Sequence, residues 1–180
     1  IDAEFARLRP LLGEKIYSYK DDTLESAIGA IFRGSGKTLS AAESCTGGKI
    51  SSLITSVPGS SEYYLGSVTS YAIPVKEKVL GVPGSTINEH GVVSSEVAAA
   101  MAERVRKLTG SDYAVSTTGL AGPGGDKSNP VGTVWIGVAG PNGTRTVKKV
   151  YKNDRNRNIE RFAAAALDEL RLLVLEDLSK

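Results

Sequence analysis

The stretch Thr38-Leu-Ser-Ala-Ala-Glu-Ser-Cys-Thr-Gly-Gly-Lys-Ile50 joins a short run of small and apolar residues directly to a helical pattern. The run predicts a buried strand over residues 38–42, and the spacing of the apolar residues after it predicts a helix over 47–57. Between the two, the hydroxyls of Ser44 and Thr46 stand beside helix N–H groups that have no partner within the helix. Such a junction can bind an anion or an oxyanion, or hold a hydroxyl nucleophile.

A purely structural interpretation of the same junction is also open. In it, Ser44 or Thr46 only caps the helix, and Gly47 and Gly48 only allow a tight turn. Cys45 is either small buried packing or itself a nucleophile, because a cysteine at a helix N-terminus has a lowered pKa. The residues of this stretch, taken alone, leave both interpretations standing.

The composition is that of an ordinary globular protein. Of the 180 residues, 41% are hydrophobic and 23% are charged, and the chain is long enough for one domain with its own core. The net charge of +2 comes from scattered acids and bases, and no apolar run approaches the roughly 20 residues of a membrane span. We therefore expect a cytoplasmic protein with no nucleic-acid partner and no membrane partner.

The scarcity of cysteine and histidine narrows the possible chemistry. The single cysteine excludes an internal disulfide and provides no cysteine cluster for zinc. The single histidine, His90, leaves little for a histidine-based triad or metal site, and its place before Gly91 is typical of a loop or capping residue. If the chain is a hydrolase, its general base is expected to be a residue other than histidine.

The periodic segments of the chain alternate between helices and strands and predict an α/β fold. Helices are predicted from the caps at 21–23 to about Gly34 and over 75–80, 95–108 and 154–178. Strands are predicted over 63–72, 112–118, 130–139 and 144–151, the last two as a hairpin. No helix is predicted between 81 and 94, and 119–126 is a glycine-dense loop. This order places helices on both faces of a mixed sheet.

Three predicted strand ends carry hydroxyl groups or glycine: Ser44, Tyr71 and Thr118-Gly119. Open α/β sheets bind ligands outside the carboxyl ends of their strands, so we expect these ends to form one site. Lys76 is the candidate base, because burial lowers the pKa of a lysine and its neutral amine can accept a serine proton. Tyr71 would relay that proton or orient the lysine. The alternative is that Lys76, which has charged neighbours, is a solvated residue of the helix surface.

Five separated blocks of the sequence occur together in order. They are Leu39-Ser-Ala-Ala-Glu-Ser-Cys-Thr-Gly-Gly48, Tyr71 with Lys76, His90-Gly-Val-Val-Ser94, Thr118-Gly-Leu-Ala-Gly-Pro123 and Pro130-Val-Gly-Thr-Val-Trp135. With them the chain resembles, over about residues 23–176, the C-terminal domain of the competence/damage-inducible CinA family, the nicotinamide mononucleotide deamidases. The resemblance implies a three-layer α/β/α sandwich with a mixed, mostly parallel sheet.

The resemblance also implies an activity and the residues that perform it. The family hydrolyses the carboxamide of nicotinamide mononucleotide to nicotinate mononucleotide and ammonia, in pyridine nucleotide salvage, with no metal and no cofactor. Ser44 corresponds to the nucleophile, Lys76 to the base and Tyr71 to the partner of the base. Substrate binding is implied for Cys45, Thr46, Gly47 and Gly48 as oxyanion donors, for Thr118 and Gly119, and for Arg155 at the phosphate. Arg157 is the alternative to Arg155, because Asn153-Asp-Arg155-Asn-Arg157 departs from the usual Gly-Asp-Arg.

The domain organisation follows the same resemblance. Residues 1–20 are expected to form an N-terminal arm or a remnant of the linker to an N-terminal domain that longer members carry, and 21–180 the amidohydrolase domain. We expect a homo-oligomer that binds a small-molecule mononucleotide. Two other functions stay open, namely a module that binds a nucleotide without turnover and an oligomerisation domain, either of them linked to competence or the DNA-damage response.

Overall fold

The computed structural model describes residues 4, 7, 10–13, 16–18 and 22–180. The arm expected over residues 1–20 is described only in part, and the predicted cap Asp21 lies outside the described residues. The division of the chain at residue 20 therefore stays a prediction.

The strands and helices follow the predicted order with boundaries that differ by a few residues, and one further helix is present. The strands are β1 (Leu39–Glu43), β2 (Tyr64–Thr69), β3 (Tyr113–Gly119), β4 (Thr133–Gly140) and β5 (Gly143–Val150). The helices are α1 (Leu24–Ser35), α2 (Lys49–Thr55), α3 (Ile73–Lys78), α4 (Gly84–His90), α5 (Ser95–Thr109) and α6 (Arg155–Leu178), with a 3-10 turn at Ser60–Glu62. Helices α1, α5 and α6 begin at side-chain caps from Thr23, Ser94 and Asp154.

The sheet has the strand order β2-β1-β3-β4-β5. Strand β1 lies between β2 and β3 and runs parallel to both, whereas β4 runs antiparallel to β3 and to β5. Four strands therefore point the same way and only β4 is reversed, which confirms the predicted mixed, mostly parallel sheet. The β4–β5 hairpin is confirmed as well, with Gly140 paired to Gly143.

Helices cover both faces of the sheet, because successive strand residues point to opposite sides. On one face, α1, α2 and α6 contribute residues such as Phe32, Ile54 and Phe162 to a core that includes Ala41 of β1. On the other face, α5 packs through residues such as Met101 against the next residue of β1. The predicted three-layer α/β/α architecture is thus confirmed.

The helix α4 corrects one prediction, since no helix was expected between 81 and 94. Its seven residues begin at a glycine and include Thr86 and Asn88, all of low helix propensity, so its sequence carries little helical signal. The helix is stabilised by packing instead, because Ile87 is buried in the same apolar cluster as Leu80 and Val97. Across the residues that the structure describes, no helix has both the length and the apolarity needed to span a bilayer.

Candidate active site

A cleft of about 250 Å³ opens at the carboxyl ends of β1 and β3. Its lining combines the segments that follow three strands and the start of α6, and it includes Ser44, Cys45, Tyr71, Lys76, Thr118, Gly119 and Arg155. The three strand ends singled out in the sequence therefore meet in one cleft. Apolar side chains, among them Ile73, Val92 and Val93, form part of its wall. Thr46, Gly47 and Gly48 are not part of the lining.

Lys76 and Ser44 form a direct contact inside this cleft. The Lys76 Nζ lies 2.9 Å from the Ser44 Oγ, and the side chain of Lys76 is fully buried. The same Nζ donates to the backbone carbonyls of Ser70, at 2.5 Å, and Tyr71, at 3.3 Å. These two carbonyls accept two N–H groups and leave the third valence of the nitrogen directed at Ser44. In the ammonium form that valence donates to Ser44, and in the neutral amine its lone pair accepts the hydroxyl proton.

Burial changes the protonation of Lys76. Desolvation lowers the pKa of Lys76 from 10.5 to about 8, against a smaller opposing effect of the Cys45 thiol. A substantial fraction of the amine is therefore neutral slightly above neutral pH. The alternative of a solvated surface lysine is wrong, because the side chain of Lys76 is fully buried. Its amine contacts the Ser44 hydroxyl and is suited to accept the hydroxyl proton.

Cys45 has the opposite environment from the one that activates a thiol. The residue is buried, and desolvation raises the pKa of its thiol to about 12 although Thr117 and Lys76 oppose that rise. The thiolate is thus scarce at neutral pH, and the interpretation of Cys45 as a nucleophile with a lowered pKa is wrong. Cys45 lines the cleft, and its backbone N–H donates to no other residue that the structure describes.

The N-terminus of α2 is capped by a residue that was not predicted to have a role in the site. Its N-cap is Gly48, which has no side chain to cap the helix. The fully buried carboxylate of Glu43 takes that place and accepts from the N–H groups of Gly48, Ile50 and Ser51 at 2.9–3.0 Å. The N–H of Lys49 donates to the Thr46 carbonyl. The first donors of α2 are therefore satisfied within the protein.

These hydrogen bonds reduce the number of predicted oxyanion donors that are free to bind a ligand. The N–H of Gly47 donates to the Ser44 carbonyl and that of Gly48 to Glu43. Thr46 is 3% exposed, and its hydroxyl lies 2.7 Å from a Glu43 oxygen and 2.8 Å from the Thr117 hydroxyl. Of the four residues Cys45 to Gly48, only Cys45 lines the cleft with an N–H that is not already donated to another described residue. A signal for Glu43 was present in the sequence, as an acidic residue at the end of an otherwise small and apolar strand.

Tyr71 contacts the two ends of the cleft with different atoms. Its carbonyl accepts from Lys76, whereas its hydroxyl, on a ring that is 61% exposed, accepts from Arg155 Nη2 at 3.1 Å. The Arg155 Nη1 also donates to the Gly122 carbonyl. The phenol is therefore directed to the arginine rather than to Lys76. Arg157 is not part of the cleft lining, and its side chain is 75% exposed and lies 3.9 Å from Asp154.

Thr118 and Gly119 shape the far wall of the cleft. The Thr118 hydroxyl donates to the Val92 carbonyl at 2.7 Å and so fixes the segment before α5. A Cβ on Gly119 would lie 2.4 Å from the Thr133 carbonyl oxygen, 2.9 Å from Val134 Cα and 3.2 Å from Cys45 Sγ. Only glycine fits at this strand end, which lets the backbone of β3 approach the residue that follows Ser44.

His90 lies outside the cleft lining, at the end of α4, with ring nitrogens 3.7 Å from Glu89 and 3.9 Å from Glu96. In the part of the chain that the structure describes, no three His, Cys, Asp or Glu side chains are grouped as a metal site would require. The polar side chains in the cleft lining are instead hydroxyls, one thiol, one buried amine and one guanidinium.

A sequence model of the CinA C-terminal domain matches residues 21–174. A CinA-like protein of Salinibacter ruber is 46% identical over 172 residues, which cover 95% of this chain and 42% of that protein. A CinA-like protein of Amoebophilus asiaticus is 43% identical over 172 residues, covering 95% and 41%. The chain spans about two-fifths of the length of these curated relatives.

Solved structures of similar proteins show the same architecture. A CinA superfamily protein of Escherichia coli superposes with a TM-score of 0.80 at 27% identity, covering 91% of this chain and 98% of that one. A competence/damage-inducible protein of Agrobacterium tumefaciens superposes with a TM-score of 0.79 at 32% identity, covering 87% and 98%.

Proposed function

This chain belongs to the family of CinA C-terminal domains, and from that premise we propose that it is an amidohydrolase acting on nicotinamide mononucleotide. The products are nicotinate mononucleotide and ammonia, as expected for an enzyme of pyridine nucleotide salvage. The observation that carries the proposal is the 2.9 Å contact between the buried amine of Lys76 and the hydroxyl of Ser44. Residues 21–180 are proposed to form the catalytic domain.

The first half of the reaction transfers the acyl group to Ser44. The neutral amine of Lys76 accepts the hydroxyl proton while the Ser44 oxygen attacks the carboxamide carbon. The N–H of Cys45 is proposed to stabilise the oxyanion that forms on the carbonyl oxygen. The Lys76 ammonium then gives the proton to the amide nitrogen, the C–N bond breaks and ammonia leaves. A nicotinoyl ester on Ser44 remains.

The second half of the reaction restores the enzyme. Water attacks the ester carbon and gives a proton to Lys76, and the Ser44 oxygen leaves and takes that proton back. Because the carbonyls of Ser70 and Tyr71 hold the Lys76 nitrogen, it keeps the same position through both halves. The pKa of about 8 allows Lys76 to accept and donate protons near neutral pH.

The other end of the substrate is proposed to contact Arg155. The guanidinium lies in the cleft lining and now donates to two neutral oxygens, those of Tyr71 and Gly122. A phosphate is a stronger acceptor than either, because the hydrogen bonds are then charge-assisted at both partners. Arg155 is therefore favoured over Arg157 for the phosphate.

Ammonia release from nicotinamide mononucleotide tests this proposal. We expect turnover by the wild-type chain and a loss of at least about 1,000-fold for Ser44→Ala, because the nucleophile acts together with its base. Ser52→Ala is the matched control, since Ser52 is an exposed serine of α2. If the wild-type chain binds the mononucleotide and returns it unchanged, the proposal fails and the interpretation as a binding module gains support.

A further inference from the structure

Glu43 is a buried carboxylate for which the proposed reaction has no direct use. It is the last residue of β1, directly before Ser44, and it is fully buried. Among the described residues, no Lys, Arg or His nitrogen lies within 4 Å of it. A buried charge without an ionic partner is costly unless hydrogen bonds compensate it.

Five donors provide that compensation, and all of them lie between residues 46 and 51. One carboxylate oxygen accepts from the Thr46 hydroxyl at 2.7 Å and from the N–H groups of Gly48 and Ile50 at 3.0 Å. The other accepts from the N–H and the hydroxyl of Ser51, at 2.9 and 2.6 Å. The Glu43 carboxylate therefore connects the turn that follows Ser44, through Thr46 and Gly48, with the first turn of α2.

The backbone of Glu43 is tied to the other half of the catalytic pair. Its carbonyl accepts from the Ser70 N–H at 2.8 Å, and the carbonyl of Ser70 in turn accepts from Lys76 Nζ. The adjacent N–H of Ser44 donates to the Thr117 carbonyl at 3.0 Å. One residue thus fixes the turn that carries Ser44 and the strand end that holds Lys76.

From these contacts we infer that Glu43 is a positioning residue for the reaction, which sets the orientation of the Ser44 hydroxyl and the Cys45 N–H. By accepting from the N–H groups of Gly48, Ile50 and Ser51, it closes the turn that leaves Cys45 in the cleft lining. It is not a catalytic residue, because its side chain does not line the cleft. This inference rests on the proposed nucleophilic role of Ser44 and adds what keeps that nucleophile in place.

Glu43→Gln is the decisive variant. The amide has nearly the shape of the carboxylate but replaces one acceptor oxygen with an NH₂ group, which would face donors and release one side of the turn. Asp112→Asn is the matched control, because Asp112 accepts in a similar way from the N–H and hydroxyl of Thr38. It does so at the opposite end of β1, away from the cleft, since Thr38 immediately precedes that strand.

The readout is covalent labelling of Ser44 by a fluorophosphonate, followed by intact-protein mass at a temperature well below unfolding, with Ser44→Ala as the blank. Misplacing a reacting group by about 1 Å costs on the order of 100-fold, and we expect a loss of that size for Glu43→Gln. Asp112→Asn is expected within two-fold of wild type. In ammonia release, Glu43→Gln should lower kcat and leave KM within two-fold. A substitution that only lowers stability would leave both the labelling rate and kcat of the folded chain unchanged.

A folded Glu43→Gln chain that labels at the wild-type rate overturns the inference. If that variant does not fold, Thr46→Val replaces it, since it removes one donor to Glu43 and keeps the side-chain shape. A several-fold slower labelling then supports the inference, and the wild-type rate overturns it. A wild-type chain that releases no ammonia, yet labels at Ser44 in a Glu43-dependent way, contradicts the proposed substrate and supports the positioning role of Glu43.

Discussion

The hydroxyl of Ser44 lies 2.9 Å from the amine of Lys76, although the two residues belong to segments that follow different strands. Ser44 follows β1 and Lys76 lies on α3, which follows β2, and the parallel pairing of β1 with β2 brings the two ends to one edge of the sheet. The contact between Ser44 and Lys76 is therefore a consequence of strand direction.

The pH dependence of turnover reports the protonation of Lys76. Desolvation lowers the pKa of Lys76 to about 8, and only the neutral amine accepts the Ser44 proton. We expect kcat/KM for ammonia release to rise with pH and to level off above about pH 8. Lys76→Met should abolish turnover, whereas Lys78→Met, on the exposed side of the same helix, should keep both the rate and the pH profile. A profile that falls between pH 6 and 8 would contradict the assignment.

The same lowered pKa makes stability depend on pH. Because the folded pKa of Lys76 is about 8 and its ordinary value is 10.5, the unfolded chain binds more protons between these values. The free energy of unfolding contributed by Lys76 therefore rises as the pH increases from about 8 to 10.5, by on the order of 3 kcal/mol in full.

Chemical denaturation at pH 7.5 and pH 10 measures this contribution. Lys76→Met is the reference, since methionine does not titrate and fills similar space. We expect the difference in unfolding free energy between wild type and Lys76→Met to shift in favour of wild type at the higher pH. An unchanged difference would show that Lys76 titrates normally in the folded state.

The contact of Arg155 with Tyr71 leads to a prediction about the phosphate. We expect Arg155→Ala to raise KM for the mononucleotide about 10-fold or more, because charge-assisted hydrogen bonds are lost. The corresponding nucleoside, which has no phosphate, should be unaffected by the change. Arg157→Ala is the control, since its side chain is 75% exposed and lies outside the cleft lining. Equal effects of the two substitutions on KM would contradict the assignment of Arg155 to the phosphate.

The close approach at Gly119 predicts a steric effect. An added Cβ would lie 2.4 Å from the Thr133 carbonyl oxygen, so Gly119→Ala must displace backbone between β3 and β4. We expect a loss of stability on the order of 3 kcal/mol. Gly34→Ala, near the end of α1 with nothing within 4 Å of the added carbon, should instead stabilise by about 0.5 kcal/mol. Thermal unfolding of both variants compares the two effects, and a Gly119→Ala chain as stable as wild type would refute the steric argument.

Much of the fold was predictable because its signals are local. The cap among residues 21–23, the β4–β5 hairpin and the helix α6 are all encoded within short windows. The helix α4 was not predictable in this way, since seven residues provide too few helical positions and the burial of Ile87 depends on α5.

The candidate site was likewise predictable only where its features follow from local signals and strand order. Strand ends rich in hydroxyls and glycine predicted that Ser44, Tyr71 and Thr118 would share an edge, because that follows from topology. The direction of the Tyr71 hydroxyl toward Arg155 and the five hydrogen bonds of Glu43 depend on side-chain contacts across the fold, which no periodic pattern reports.

The central claim is that Ser44 is acylated by the substrate, and rapid quenching of a single turnover tests it most directly. The wild-type chain would be mixed with nicotinamide mononucleotide, quenched in acid, digested and analysed by mass spectrometry. We predict a peptide containing Ser44 that carries the acyl group of the mononucleotide, formed together with ammonia and absent from Ser44→Ala. Release of ammonia by Ser44→Ala at the wild-type rate, or an acyl group on a different residue, would contradict the claim.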